Sequence, residues 1–78
     1  MSDTKLDPAL SVIKTLGGFE AVAVITGKHI SRVYRWTYPK ERGGTGGYIP
    51  QADAEVLLAH AKEKGLPVTA ESFFLRAA

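Results

Sequence analysis

Apolar positions recur with a helical period in two stretches of this chain and blur in a third. Ala9, Val12, Ile13 and Leu16 share one helical face directly after Asp7-Pro8. An aspartate there is suited to capping free amides, and the fixed φ of proline suits a first helical position. Gly17-Gly18 ends that helix. Over residues 50–64, Ala54, Leu57, Leu58 and Ala61 stand at i, i+3, i+4 and i+7, with Asp53 and Glu55 near the start, Lys62 and Lys64 near the end, and Gly65 as the stop. This spacing predicts the best-defined helix of the chain. Leu66 and Pro67 follow it, and Thr69 is placed to cap a last short helix containing Phe73, Phe74 and Leu75. Residues 19–26 are ambiguous, because "AVAVI" is rich in β-formers and a two-strand hairpin through residues 25–30 competes with a helix. Residues 38–50, "YPKERGGTGGYIP", hold two prolines and four glycines. That composition predicts a flexible loop of about ten residues.

A chain of 78 residues has room for one domain with a small core, so any site is built on a few short elements. The expected organisation is a flexible tail over residues 1–6 and a single domain over residues 7–78. The absence of cysteine excludes disulfides, thiolate metal sites and cysteine nucleophiles. No apolar run approaches the roughly 20 residues of a membrane helix. The polar N-terminus lacks the basic start and apolar middle of a signal peptide, so the expected location is the cytoplasm. The net charge of +2 is unremarkable, but its distribution is not. Lys28, Arg32, Arg35, Lys40 and Arg42 face only Glu41 within residues 27–42, whereas residues 43–78 sum to −1.

If residues 19–26 are a helix, Gly27 takes the left-handed conformation that ends it and a second helix runs over about residues 30–37. Ala23 is then the small side chain where the two backbones approach near a right angle, Val33 and Trp36 face inward, and Ser31, Tyr34, Arg35 and Tyr38 face outward. Alanine four residues before the turn glycine, valine six after it, and "RVYRW" resemble the helix-turn-helix of the Cro and lambda-repressor-like DNA-binding proteins. One helix before the motif, a loop and two helices after it match the five-helix order of those domains. The resemblance therefore implies an all-α, compact five-helix fold with the motif at about residues 19–37 and a glycine-rich loop at 39–49. Two positions depart from the family: Lys28 replaces an apolar residue after the glycine, and His29 replaces a serine cap, which leaves the second helix without its usual start. A "YPK" segment before a glycine loop also occurs in excisionase-like winged proteins, which keeps a wing at residues 43–49 open.

The resemblance implies a prophage-type transcriptional regulator, most simply a repressor, that binds double-stranded DNA without chemistry. Ser31, Tyr34 and Arg35 are the expected base contacts, since the fork of arginine matches guanine O6 and N7. Lys28, Arg32, Tyr38, Lys40 and Arg42 are the expected phosphate contacts. Solvated surface is the bland alternative for each. Trp36 is expected in the core rather than as a stacking platform. "GGTGG" lacks a nucleotide-binding signature and reads as a flexible loop, not a phosphate cradle. His29 and His60, 31 residues apart with no carboxylate pattern, imply no metal site, and Asp53 and Glu55 read as surface acids. No nucleophile, base and orienting group stand at usable spacing, so neither an enzyme, a cofactor nor a small-molecule ligand is expected. A protein-interaction module of antitoxin type is the alternative function. Two-fold binding to an inverted-repeat operator implies a homodimer, with Phe73 and Phe74 as its expected surface because adjacent residues of a short helix cannot both point inward.

Overall fold

The structure is a computed structural model and describes residues 5–73. Among them are four α-helices, α1 (Ala9–Thr15), α2 (Phe19–Thr26), α3 (Ile30–Arg35) and α4 (Gln51–Lys64), and two 3-10 turns at Lys40–Arg42 and Ala70–Phe73. The described chain is thus all-helical and compact, without strands. Instead of the expected fifth α-helix it ends in the turn Ala70–Phe73; Phe74 and Leu75 lie outside the described residues.

Burial decides the ambiguous segment. Val22 is completely buried while Val24 is 81% exposed, although a strand would set both on one face. Phe19, Ala23 and Ile25 pack against the same core, so the β-forming residues of α2 are used at helical spacing. α1 and α2 meet at 88°. Asp7 begins α1 as expected of a cap, its Oδ1 accepting from Ser11 N at 2.9 Å and from Ser11 Oγ at 2.8 Å. Pro8 precedes the helix rather than opening it.

The long helices end alike. In α1, Gly18 N donates to Ile13 O at 2.9 Å and Gly17 N to Lys14 O at 3.2 Å. In α2, Lys28 N donates to Ala23 O at 3.2 Å and Gly27 N to Val24 O at 3.3 Å; in α4, Leu66 N donates to Ala61 O at 2.9 Å and Gly65 N to Lys62 O at 3.4 Å. This paired pattern satisfies the last carbonyls and turns the chain sharply. Leu66 adds the apolar contact that usually accompanies it. α3 stops at Arg35, two residues short of expectation, because its last bonds tighten to the i→i+3 type: Thr37 N reaches Tyr34 O at 3.0 Å and Tyr38 N reaches Arg35 O at 3.2 Å.

The core joins Val12 and Ile13 of α1, Val22, Val33, Trp36 and Leu57. Trp36 is 4% exposed, a core residue as its spacing indicated. Phe73, named with Phe74 for a dimer surface, is buried in this core, and Phe74 lies outside the described residues. Of the expected loose tail, residues 1–4 are likewise outside them, whereas Leu6 is tied down, its N–H donating to Thr37 O at 2.9 Å.

The glycine-rich segment is folded, contrary to the flexible loop expected from its composition. Thr45 N donates to Arg35 O at 3.1 Å and Gly46 N to Tyr38 O at 2.9 Å, while Gly47 O accepts from Ala9 N at 2.9 Å. The Thr45 hydroxyl bonds the carbonyls of Trp36 and Tyr48 and accepts from Tyr48 N. With no strand over residues 43–49, no wing forms. Glycine is required here by closeness as much as by turning: a Cβ at Gly44 would lie 2.2 Å from Tyr38 O and 2.5 Å from Arg35 O.

Two alanine substitutions separate these demands. Gly43 has φ +82° and open space around a Cβ, so Gly43→Ala should cost about 1 kcal/mol of backbone strain. Gly44→Ala meets backbone and should cost about 3 kcal/mol or more. Urea unfolding of the two variants checks this; equal losses would show that the segment is not packed as described.

Candidate functional site

Gly27 ends α2 in the left-handed conformation, φ 72° and ψ 17°, and His29 at φ −66° and ψ 145° extends the chain before α3 begins. Val33 and Trp36 are the inward side of the α3 segment, which leaves Ser31, Arg32 and Arg35 exposed on the other. Neither guanidinium has an ion-pair partner among the described residues. Lys40 and Arg42, also exposed, follow on the 3-10 turn that the Thr45 bonds hold against the C-terminal end of α3. Exposed basic residues thus stand both on α3 and on the next turn.

The other expected contacts are less exposed. Tyr34 is half-buried, its ring stacked on Phe19 with centroids 4.1 Å apart and planes 8° from parallel, and Lys5 Nζ lies 5.9 Å from its centroid. The stack fastens α3 to the start of α2 and contributes about 1 kcal/mol beyond the area it covers. Tyr38 is half-buried. Lys28 places Nζ 3.4 Å from Asp53 Oδ1, and the Asp53 side chain is 8% exposed. Asp53 is therefore no surface acid: it sits in the first turn of α4, where the helix favours negative charge, and holds the lysine that follows the turn glycine. Glu55 is exposed and accepts from Gln51 Nε2 at 3.4 Å.

The start of α3 is capped after all. His29 Nδ1 accepts from Ser31 N at 3.1 Å and lies 2.9 Å from Ser31 Oγ. The ring nitrogen takes the place of a serine hydroxyl. The only signal for it was a serine two residues on; the stack and the ion pair join residues 15 and 25 positions apart and left no local signal.

Four of the five amides of "GGTGG" are consumed internally, Gly43 N by Lys40 O at 3.0 Å and Gly44 N by Pro39 O at 3.1 Å in addition to those of Thr45 and Gly46, so the segment presents no run of free amides for a phosphate. Among the described residues no three His, Asp or Glu side chains come together as metal ligands. No single helix among them is long and apolar enough to cross a membrane. An open groove of about 500 Å³ has Ile49, Ala54, Leu58 and Phe73 in its walls and Tyr48, Gln51 and Glu55 around it. No protein-family model, curated protein or solved structure matches the chain.

The ion pair sets the expectation for Lys28. Lys28→Ala leaves the Asp53 carboxylate without its partner in a mostly dry position and should destabilise the fold by about 2 kcal/mol. Arg32→Ala should stay within about 0.5 kcal/mol of the parent. Adding Asp53→Asn to Lys28→Ala should recover part of the loss in urea unfolding; strictly additive losses would mean that the two side chains are not coupled.

Proposed function

We propose that this protein is a sequence-specific, double-stranded DNA-binding transcriptional regulator, a repressor of prophage type, in which α2 and α3 form a helix-turn-helix and α3 enters the major groove. The observation that carries the reading is the outer side of α3, where Ser31, Arg32 and Arg35 stand exposed, both arginines unpaired among the described residues, beside the basic turn at Lys40–Arg42. Unpaired guanidiniums on a fixed helix suit a polyanion, because phosphate contact releases counterions and arginine also reads guanine edges. Ser31 and Arg35 are the base contacts of this reading, with Tyr34 beside them, set in its stack. Arg32, Tyr38, Lys40 and Arg42 take phosphates; Lys28, held by Asp53, contributes least.

A helix of six residues spans only a few base pairs, so the active form of this reading is a homodimer on an inverted repeat with half-sites about 10 base pairs apart. Of the two residues expected at the dimer surface, Phe73 is already used inside the protomer and Phe74 lies outside the described residues. Sedimentation with the full duplex and with a duplex carrying one half-site tests the assembly: a single protomer bound to an isolated half-site with full affinity would refute the dimer.

Selection from randomised duplexes, followed by titration at several salt concentrations, tests the binding. Arg35→Ala should lose about 1–3 kcal/mol on the selected site and flatten preference at one base pair. Lys40→Ala should weaken all duplexes alike and reduce the salt slope by about one unit. Absence of any preferred duplex, with weak binding at every salt concentration, would sink the DNA reading and favour a protein partner.

A further inference from the structure

Ser31 is an ambiguous reader of DNA on its own, since a hydroxyl both donates and accepts and pairs with either kind of base edge. In this protein its hydrogen is already directed. The Ser31 backbone N–H can only donate, and it meets His29 Nδ1 at 3.1 Å, so that nitrogen carries no proton and the imidazole proton sits on Nε2. Ser31 Oγ lies 2.9 Å from the same unprotonated nitrogen. Between an oxygen that bears a hydrogen and a nitrogen that bears none, the hydroxyl must be the donor. What it leaves exposed is its lone pairs.

We propose that His29 is a specificity-determining positioning residue: by holding the hydroxyl hydrogen of Ser31, it makes Ser31 an acceptor-only reader that selects a base with an exocyclic amino group in the major groove. Adenine N6 and cytosine N4 offer such donors; guanine and thymine present O6, N7 and O4, all acceptors, at the corresponding edge. Against those, Ser31 has no hydrogen to give unless it breaks its bond to His29. The discrimination expected from one such neutral hydrogen bond is about fivefold. His29 itself need not touch DNA. This assignment rests on the DNA-binding reading of α3.

The test measures affinities for duplexes that vary one base pair at a time across the selected site, using the full chain. Ser31→Ala identifies its position, where the parent should prefer adenine or cytosine on the contacted strand by about fivefold. His29→Ala should flatten that position to within about twofold, because the freed hydroxyl then donates as well. It should leave the preference lost in Arg35→Ala intact. His29→Asn, whose carbonyl oxygen can cap the helix and accept from the hydroxyl, should restore the adenine or cytosine preference and guards against simple loss of the helix start. Nitrogen NMR shifts of the His29 ring in the free protein should show protonated Nε2 and bare Nδ1. A parent preference for guanine or thymine at the Ser31 position, an unchanged preference in His29→Ala, or a protonated Nδ1 each overturns the assignment while leaving DNA binding standing. If no duplex is bound by the parent, the DNA reading fails first and the assignment falls with it.

Discussion

The turn at Gly27 governs the direction of everything that follows it. α2 has eight residues, too few to be stable alone, and its end must satisfy carbonyls while delivering the chain to a second, shorter helix. The left-handed glycine lets the amides of Gly27 and Lys28 close on Val24 and Ala23. From that point the extended His29 aims α3 so that Val33 and Trp36 enter the core and Ser31, Arg32 and Arg35 remain outside. A Cβ at Gly27 would meet nothing, so the requirement is one of backbone conformation alone.

Around that turn the corner is held by polar pairing as well as by apolar contact. Lys28 follows the glycine and crosses to Asp53 on α4, which binds the α2–α3 corner to the longest helix through charge rather than through a leucine-like contact. His29 does the work of a capping hydroxyl with a ring nitrogen. The Phe19–Tyr34 stack closes the other side of the corner.

Helix existence was legible where glycine and period agree, as at Gly65 after Leu57 and Ala61, and at Gly17 after Ile13. It was illegible in α2, because the β propensity of "AVAVI" is overruled only by tertiary burial of Val22 against the rest of the core. Composition misled at residues 43–47: glycine marks chain that can move, but also chain that other backbone must approach, and the 2.2 Å clearance at Gly44 belongs to the second kind. The exposed arginines of α3 followed from counting around a helix. The engagement of Lys28, Tyr34 and Ser31 did not, because their partners are set by the packing of other elements or by an uncommon cap.

The bonds that gather at the C-terminal end of α3 reach both directions along the chain: Thr37 O takes Leu6 N and Arg35 O takes Thr45 N. Six helical residues have no independent stability in water. α3 therefore keeps its helical form through the burial of Val33 and Trp36 and the bonds at its end, and a partner that docks on its outer side meets a helix already formed.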